Sequence, residues 1–302
     1  MIGGLLSELG KKLGEKWLTL LVLPGALYLA VVTCASTLGH AHALDVHRLV
    51  DQIATWAEHP ATTTVGGQVI LLAAVLSGAA ALGSVAQTLG ALVERTVLIT
   101  DWHTLPGRLR TRIDARVASR RTKWHEANEL YRERREEAAQ ALARGEPVHP
   151  APRHAAFREM RAISIAPPER PTWSGDRMNA VAVRLEGDLH LTFSQVWPVL
   201  WLHLPEDVRT QITAARTVLS QASGLAAWTV LYAALTPIWW PAAPIALVMA
   251  FASRQRFRAA IEAYAELLEA SVRLYAHSLL NSLDPEATAS TVGDALTPHL
   301  GT

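Results

Sequence analysis

Four groups of side chains in this sequence are of types that could bind or react. His40, His42, His47 and His59 crowd one short polar stretch, and imidazoles at that density are donors a divalent cation accepts. A hydrolytic metal centre needs a carboxylate and two histidines at helical spacing, as in H-E-x-x-H, and the sequence has no such motif. His40 and His42 on a loop fix no third ligand, so these residues read as a solvated loop and no metal ligand is assigned. Glu94 and Arg95 are adjacent at the end of an apolar run and read as a solvated pair. Arg108, Arg110, Arg112, Arg116, Arg120, Arg121 and Lys123 form a basic run. Two readings of it stand: contact with anionic lipid heads, at about 1 kcal/mol per cation near a charged leaflet, or a solvated helical face.

Catalytic constellations are lacking. The sequence has no G-x-x-x-x-G-K, no G-x-G-x-x-G and no G-x-S-x-G, the patterns that cradle phosphate, hold a dinucleotide or present a serine nucleophile. Cys34 is the only cysteine and can form neither an internal disulfide nor a thiolate metal cluster. No catalytic residue, cofactor or metal is therefore assigned, and an enzyme is not expected. A net charge of +1 gives no support for nucleic-acid binding, which shows as a basic domain.

The elements that would position these groups follow from where charge is missing. Half of the 302 residues are hydrophobic and 18% are charged. No charged residue occurs at 17–37, 61–93 or 217–253, runs that exceed the ~20 residues a helix needs to cross a bilayer. The fold expected is all-α: a helical integral membrane protein with four transmembrane helices as two hairpins plus a cytoplasmic helical domain. Its parts are an amphipathic segment at 1–16, a first hairpin at 17–93 with an outer loop at 38–63, and a cytoplasmic helical region at 94–216. A second hairpin at 217–253 and an amphipathic helix with a loose tail at 254–302 complete it. Lysines before the first span, acids in the 38–63 loop and arginines after the second span orient the chain with both termini cytoplasmic. A cleaved leader, with Ala41-His42-Ala43 as its small-residue site, is the rival reading of the N-terminus.

Within this frame two faces stand out. Ala79, Gly83, Ala86 and Gly90 recur at i, i+4, i+7 and i+11, a stripe of small residues where helix backbones approach closely. Trp197, Leu200, Trp201 and Leu204 share one face of a short helix, with two homes open to it: the cytoplasmic leaflet interface or, the favoured one, a groove formed by the 254–283 helix through Tyr264, Leu268 and Tyr275. Helices are also expected at 45–56, 106–143, 153–162 and 174–185, with Thr192 and Gln195 as a capping box.

The segment Pro171-Thr172-Trp173-Ser174-Gly175-Asp176, followed by Trp197-Pro198-Val199-Leu200 and Leu204-Pro205-Glu206, resembles an uncharacterised group of bacterial multi-span inner-membrane proteins with a P-T-x-x-G-N, W-P-x-L and L-P-E pattern before a membrane hairpin. The resemblance covers roughly 170–285, with Asp176 where the pattern has Asn. It implies a multi-pass cell-membrane location and no reaction. The function expected is that of a membrane-anchored scaffold or signalling partner acting through its cytoplasmic helices. An oligomeric channel or membrane-perturbing effector is the alternative. The partners expected are the lipid bilayer and a protein at the cytoplasmic region, with a homo-oligomer left open.

Overall fold

The computed structural model describes residues 22–58, 63–99, 102–104, 106–190 and 192–283. Among the described residues are nine α-helices and no strand. In chain order they are α1 Leu23–Leu38, α2 Val46–Ala57, α3 Val65–Val97, α4 Gly107–Ala143, α5 Ala151–Ile163, α6 Trp173–Leu189, α7 Phe193–His203, α8 Glu206–Leu235 and α9 Ala242–Leu283, with a short 3-10 turn at Trp102–Thr104. The expected segment at 1–16, the start of the first span, His59 and the tail after 283 lie outside the described residues.

Local chemistry accounts for most of the boundaries. Asp45 caps α2 by accepting from Arg48 N, which satisfies one of the free donors at a helix start. Helix α4 begins after Pro106 and stops at Gly145, whose φ of +72° favours glycine. Thr172 caps α6 by accepting from Gly175 N, and α6 ends on His190 in the left-handed region, φ 54°. Glu206 and Asp207 open α8 in its first turn, where carboxylates meet the positive end of the helix. The capping box expected at Thr192 is not formed by its side chain, and Pro198 is accommodated inside α7.

The described residues divide into two units, each considered by itself: those within Met1–Val93 with Ser220–Arg256, and those within Glu94–Leu219 with Phe257–Thr302. In the first unit the buried residues of α3 are Ala79, Gly83, Ala86 and Gly90. They meet other glycines: a Cβ at Gly25 would fall 2.1 Å from the Ala79 carbonyl oxygen, and one at Gly90 would fall 3.3 Å from Gly224 N. Tyr28 packs edge-on to Tyr232 with centroids 5.2 Å apart and donates its hydroxyl to Leu231 O at 3.0 Å. Trp239 Nε1 donates to Ala43 O at 2.9 Å. Large apolar side chains remain exposed on this unit, among them Val65, Ile70, Leu247 and Phe251.

The core of the second unit joins α6, α7, the start of α8 and the later part of α9. Leu185, Leu200, Leu204, Ile212, Leu268, Val272 and Ala276 are buried together, with Trp197, Trp201, Tyr264 and Tyr275 half-buried against them. Helix α5 folds back on α4 around Trp124, Ala127 and Met160.

Four membrane spans are not what the chain forms, and the expected fold class is corrected accordingly. Two helices among the described residues are long and apolar enough to cross a membrane, Val65–Val97 and Glu206–Leu235. The described part of α1 has 16 residues. The second half of the hairpin expected at 217–253 is not separate from the helix expected after it, because α9 continues unbroken from Ala242 through the charged sequence to Leu283. The described residues are all-α and each unit is internally packed, and the multi-pass cell-membrane location with cytoplasmic termini loses its basis.

The expected partners fail for a related reason: the surfaces that motivated them are already occupied. The small-residue stripe packs against Gly25 and Gly224 of the same chain, which removes the argument for a channel or homo-oligomer. The Trp197–Leu204 face is built into the core of the second unit, so it is not a free face for a protein partner or a membrane-anchored scaffold. Part of the basic run, for which lipid contact and a solvated face are the two readings, turns inward, as the geometry below shows.

Candidate functional site

Between α5 and α6 the chain passes through Pro167, Pro168 and Pro171 in a bent strap with neither helix nor strand. Proline has no N–H and resists helix before it, so the carbonyls of this strap need partners from elsewhere. Helix α4 supplies them. Arg116 Nε donates to Pro171 O at 3.1 Å, Arg121 Nε to Pro168 O at 3.3 Å, and Trp124 Nε1 to Ser164 O at 3.0 Å. Arg120 donates to Ile163 O at 2.7 Å and to Arg170 O. The cations read as contacts for lipid heads or as a solvated face thus serve backbone oxygens 43–55 residues away.

Asp176 closes the strap from the other side. Its Oδ1 accepts from Glu169 N at 2.8 Å and Arg170 N at 2.7 Å, and its Oδ2 pairs with Arg120 Nη1 at 2.6 Å. Asn179 accepts from Arg170 Nη2 and donates to Glu169 at 2.9 Å each. Thr172 donates its hydroxyl to Val97 O. The P-T-x-x-G-D segment is therefore a lock for the strap, which is why those residue types occur at that spacing.

Two clefts flank this lock. One, about 470 Å³, lies by Trp102, His103 and Asp114. Several of its polar groups are engaged: Trp102 Nε1 donates to Asp114 at 3.0 Å, and the Arg170 guanidinium lies over the Trp102 ring at 5.4 Å. The other, about 430 Å³, lies between α5, α6 and α9 and is lined by Arg161, Arg177 and Arg184 facing Glu262, Glu266 and Glu269. Phe157, Met160 and Ile165 supply its apolar wall.

The second cleft has unused hydrogen-bonding capacity at its base. Arg177 is 4% exposed. Its Nε lies 3.2 Å from Glu262 Oε2, an ion pair without hydrogen-bond alignment, and neither Nε nor Nη1 has a hydrogen-bond partner in the protein. Glu262 also pairs through Oε1 with Arg161 at 3.2 Å. Glu269 pairs with Arg184 at 2.6 Å and with Arg273 at 3.2 Å. Glu266 is exposed and forms no ion pair among the described residues.

None of the residues singled out from the sequence line this cleft. Ala79, Gly83, Ala86 and Gly90 are packing residues of the first unit. Leu200 and Leu204 are buried in the second, with Trp197 and Trp201 half-buried there. Of the histidines, His42 Nδ1 accepts from Arg48 Nη1 at 3.0 Å, since a guanidinium can only donate. No group of three metal-binding side chains forms among the described residues. Glu94, read as paired with its neighbour, instead pairs with Arg216 at 2.6 Å. The cleft residues carry a signal that was open to reading: Arg177 and Arg184 are seven apart, and Glu262, Glu266 and Glu269 fall at i, i+4 and i+7, so each set shares one helix face.

No protein-family model matches the sequence, and no curated protein or solved structure is similar to it. The resemblance to a multi-span family is corrected: the fold and these comparisons give it no support.

Proposed function

We propose that the chain is a helical binding protein, not an enzyme, and that its second unit holds a small ligand bearing an oxyanion in the cleft between α5, α6 and α9. Arg177 carries this reading: a guanidinium 4% exposed, lining the cleft, with Nη1 free of any hydrogen bond among the described residues. A buried charge whose donors go unused is costly, and a carboxylate or phosphate supplies acceptors in the geometry a guanidinium fork matches. Both oxygens of Glu262 are occupied by guanidinium groups, which suits positioning.

Calorimetric titration of the full chain with inorganic phosphate and short mono- and dicarboxylates tests this. Saturable binding of at least one probe, lost in Arg177→Met, is expected. Absence of saturable binding by every probe would overturn the reading.

A further inference from the structure

We infer that the ligand of this cleft is a small zwitterion, with a carboxylate taken by Arg177 and an ammonium group taken by Glu266, the two separated by about one helical turn. The inference rests on the binding function proposed above and adds the chemical class.

Three observations carry it. First, the cleft is lined by opposite charges in equal number, three guanidinium groups and three carboxylates. A simple anion entering there meets Glu262, Glu266 and Glu269 as well as the arginines, and a purely cationic ligand meets the reverse. Only a molecule bearing both charges complements both walls. Second, unused capacity of both signs faces the cleft, on the arginine side at Arg177 and at Arg184 Nε, whose guanidinium already pairs with Glu269 through Nη2. Arg177 offers a buried donor, and Glu266 is the one of the three glutamates without an ion pair among the described residues. Third, their placement sets a length. Arg177 touches Glu262 at 3.2 Å, and Glu266 lies one turn further along α9, about 6 Å along the axis at ~1.5 Å per residue.

A span of that size is too long for the two charges of a simple α-amino acid headgroup. It fits an ω-amino carboxylate with several methylenes, or the α-carboxylate and side-chain amine of a basic amino acid. Phe157, Met160 and Ile165 provide apolar surface for the methylenes between the charges. The cleft volume of about 430 Å³ is ample, being within the range of ordinary small-molecule sites.

The test compares 5-aminopentanoate with its two halves, pentanoate and pentylamine, by calorimetric titration of the full chain. The zwitterion is expected to bind at least tenfold more tightly than either half. Glu266→Gln should remove that advantage while leaving pentanoate affinity unchanged. Arg177→Met should abolish binding of both carboxylates with the helical circular dichroism signal retained. Equal affinity for pentanoate and 5-aminopentanoate would overturn the zwitterion class and leave anion binding standing. Tighter binding of inorganic phosphate than of any carboxylate would do the same. No binding of any probe would overturn both, and Glu266 lies at an exposed position where loss of folding cannot account for a negative result.

Discussion

Arg120 and Asp176 are ion-paired at 2.6 Å, with 16% and 6% of their side chains exposed, although they lie on helices separated by the whole of α5 and the proline strap. Asp176 also accepts from the amides of Glu169 and Arg170, so one carboxylate ends three donors. Removing one member of a buried, hydrogen-bonded pair leaves the other charge uncompensated and typically costs about 3–5 kcal/mol. Asp176→Ala should lower stability by an amount in that range in denaturant unfolding. Asp176→Asn, which keeps an acceptor for the strap amides, should cost less. Equal losses from the two would show that the ion pair, and not the amide acceptors, dominates.

Trp124 tests the other anchor of the strap. Its indole nitrogen donates to Ser164 O at 3.0 Å, and both residues are buried. Trp124→Phe keeps most of the ring but leaves the buried carbonyl without this donor, a loss of about 1–3 kcal/mol. Limited proteolysis should then cut first within 164–172. Cleavage elsewhere at the same rate as in the native chain would remove the strap argument.

The contrast between these anchors and the rest of the fold shows what a sequence exposes. Helix α4 was legible because Val117, Trp124, Tyr131 and Ala138 repeat every seven residues, a local pattern. The backbone targets of Arg116, Arg120 and Arg121 were not, because backbone carbonyls look alike in any sequence and these lie 43–55 positions away. Apolar runs misled in a specific way. The apolar run at 217–253 ends in charge and suggests a boundary before the helix expected from 254, yet Arg254 and Arg256 interrupt no backbone hydrogen bond and α9 continues to Leu283. The cleft was hidden differently: its arginines and glutamates each look like solvated faces until the fold sets α6 against α9.

Tyr264 gives a pH-dependent readout. Burial raises its pKa above the usual value near 10, the nearby Arg216 lowers it, and Glu94 raises it. A raised folded-state pKa means the unfolded chain loses the tyrosine proton first, so stability present below about pH 10 falls as pH rises toward the folded value. Tyr264→Phe should lose less stability than the native chain between pH 9 and 11, measured as midpoint shifts in urea. Parallel curves for the two proteins would show that Tyr264 does not titrate differently in the folded state.

Three glycines allow close packing and helix propensity to be separated. Alanine is preferred to glycine within a helix by about 0.8–1.0 kcal/mol, so a glycine with open space should be improved by the exchange. Gly187, inside α6, is such a site: nothing lies within 4 Å of where its Cβ would be, and Gly187→Ala should raise stability by a sizeable part of that amount. At Gly90 the added carbon would sit 3.3 Å from Gly224 N, close enough that the neighbour must yield by a few tenths of an ångström. The propensity gain and the contact cost should then nearly cancel. At Gly25 the carbon would fall 2.1 Å from the Ala79 carbonyl oxygen and 2.8 Å from its carbon, and both are backbone atoms of another helix that no rotamer change can move. Overpacking ordinarily costs about 1–3 kcal/mol and more where the backbone must shift, so Gly25→Ala should be clearly destabilising. The order expected in thermal unfolding is Gly187→Ala above native, Gly90→Ala near native and Gly25→Ala well below. If Gly25→Ala unfolded at or above the native temperature, α1 and α3 would not be in the close contact on which the packing of the small-residue stripe depends.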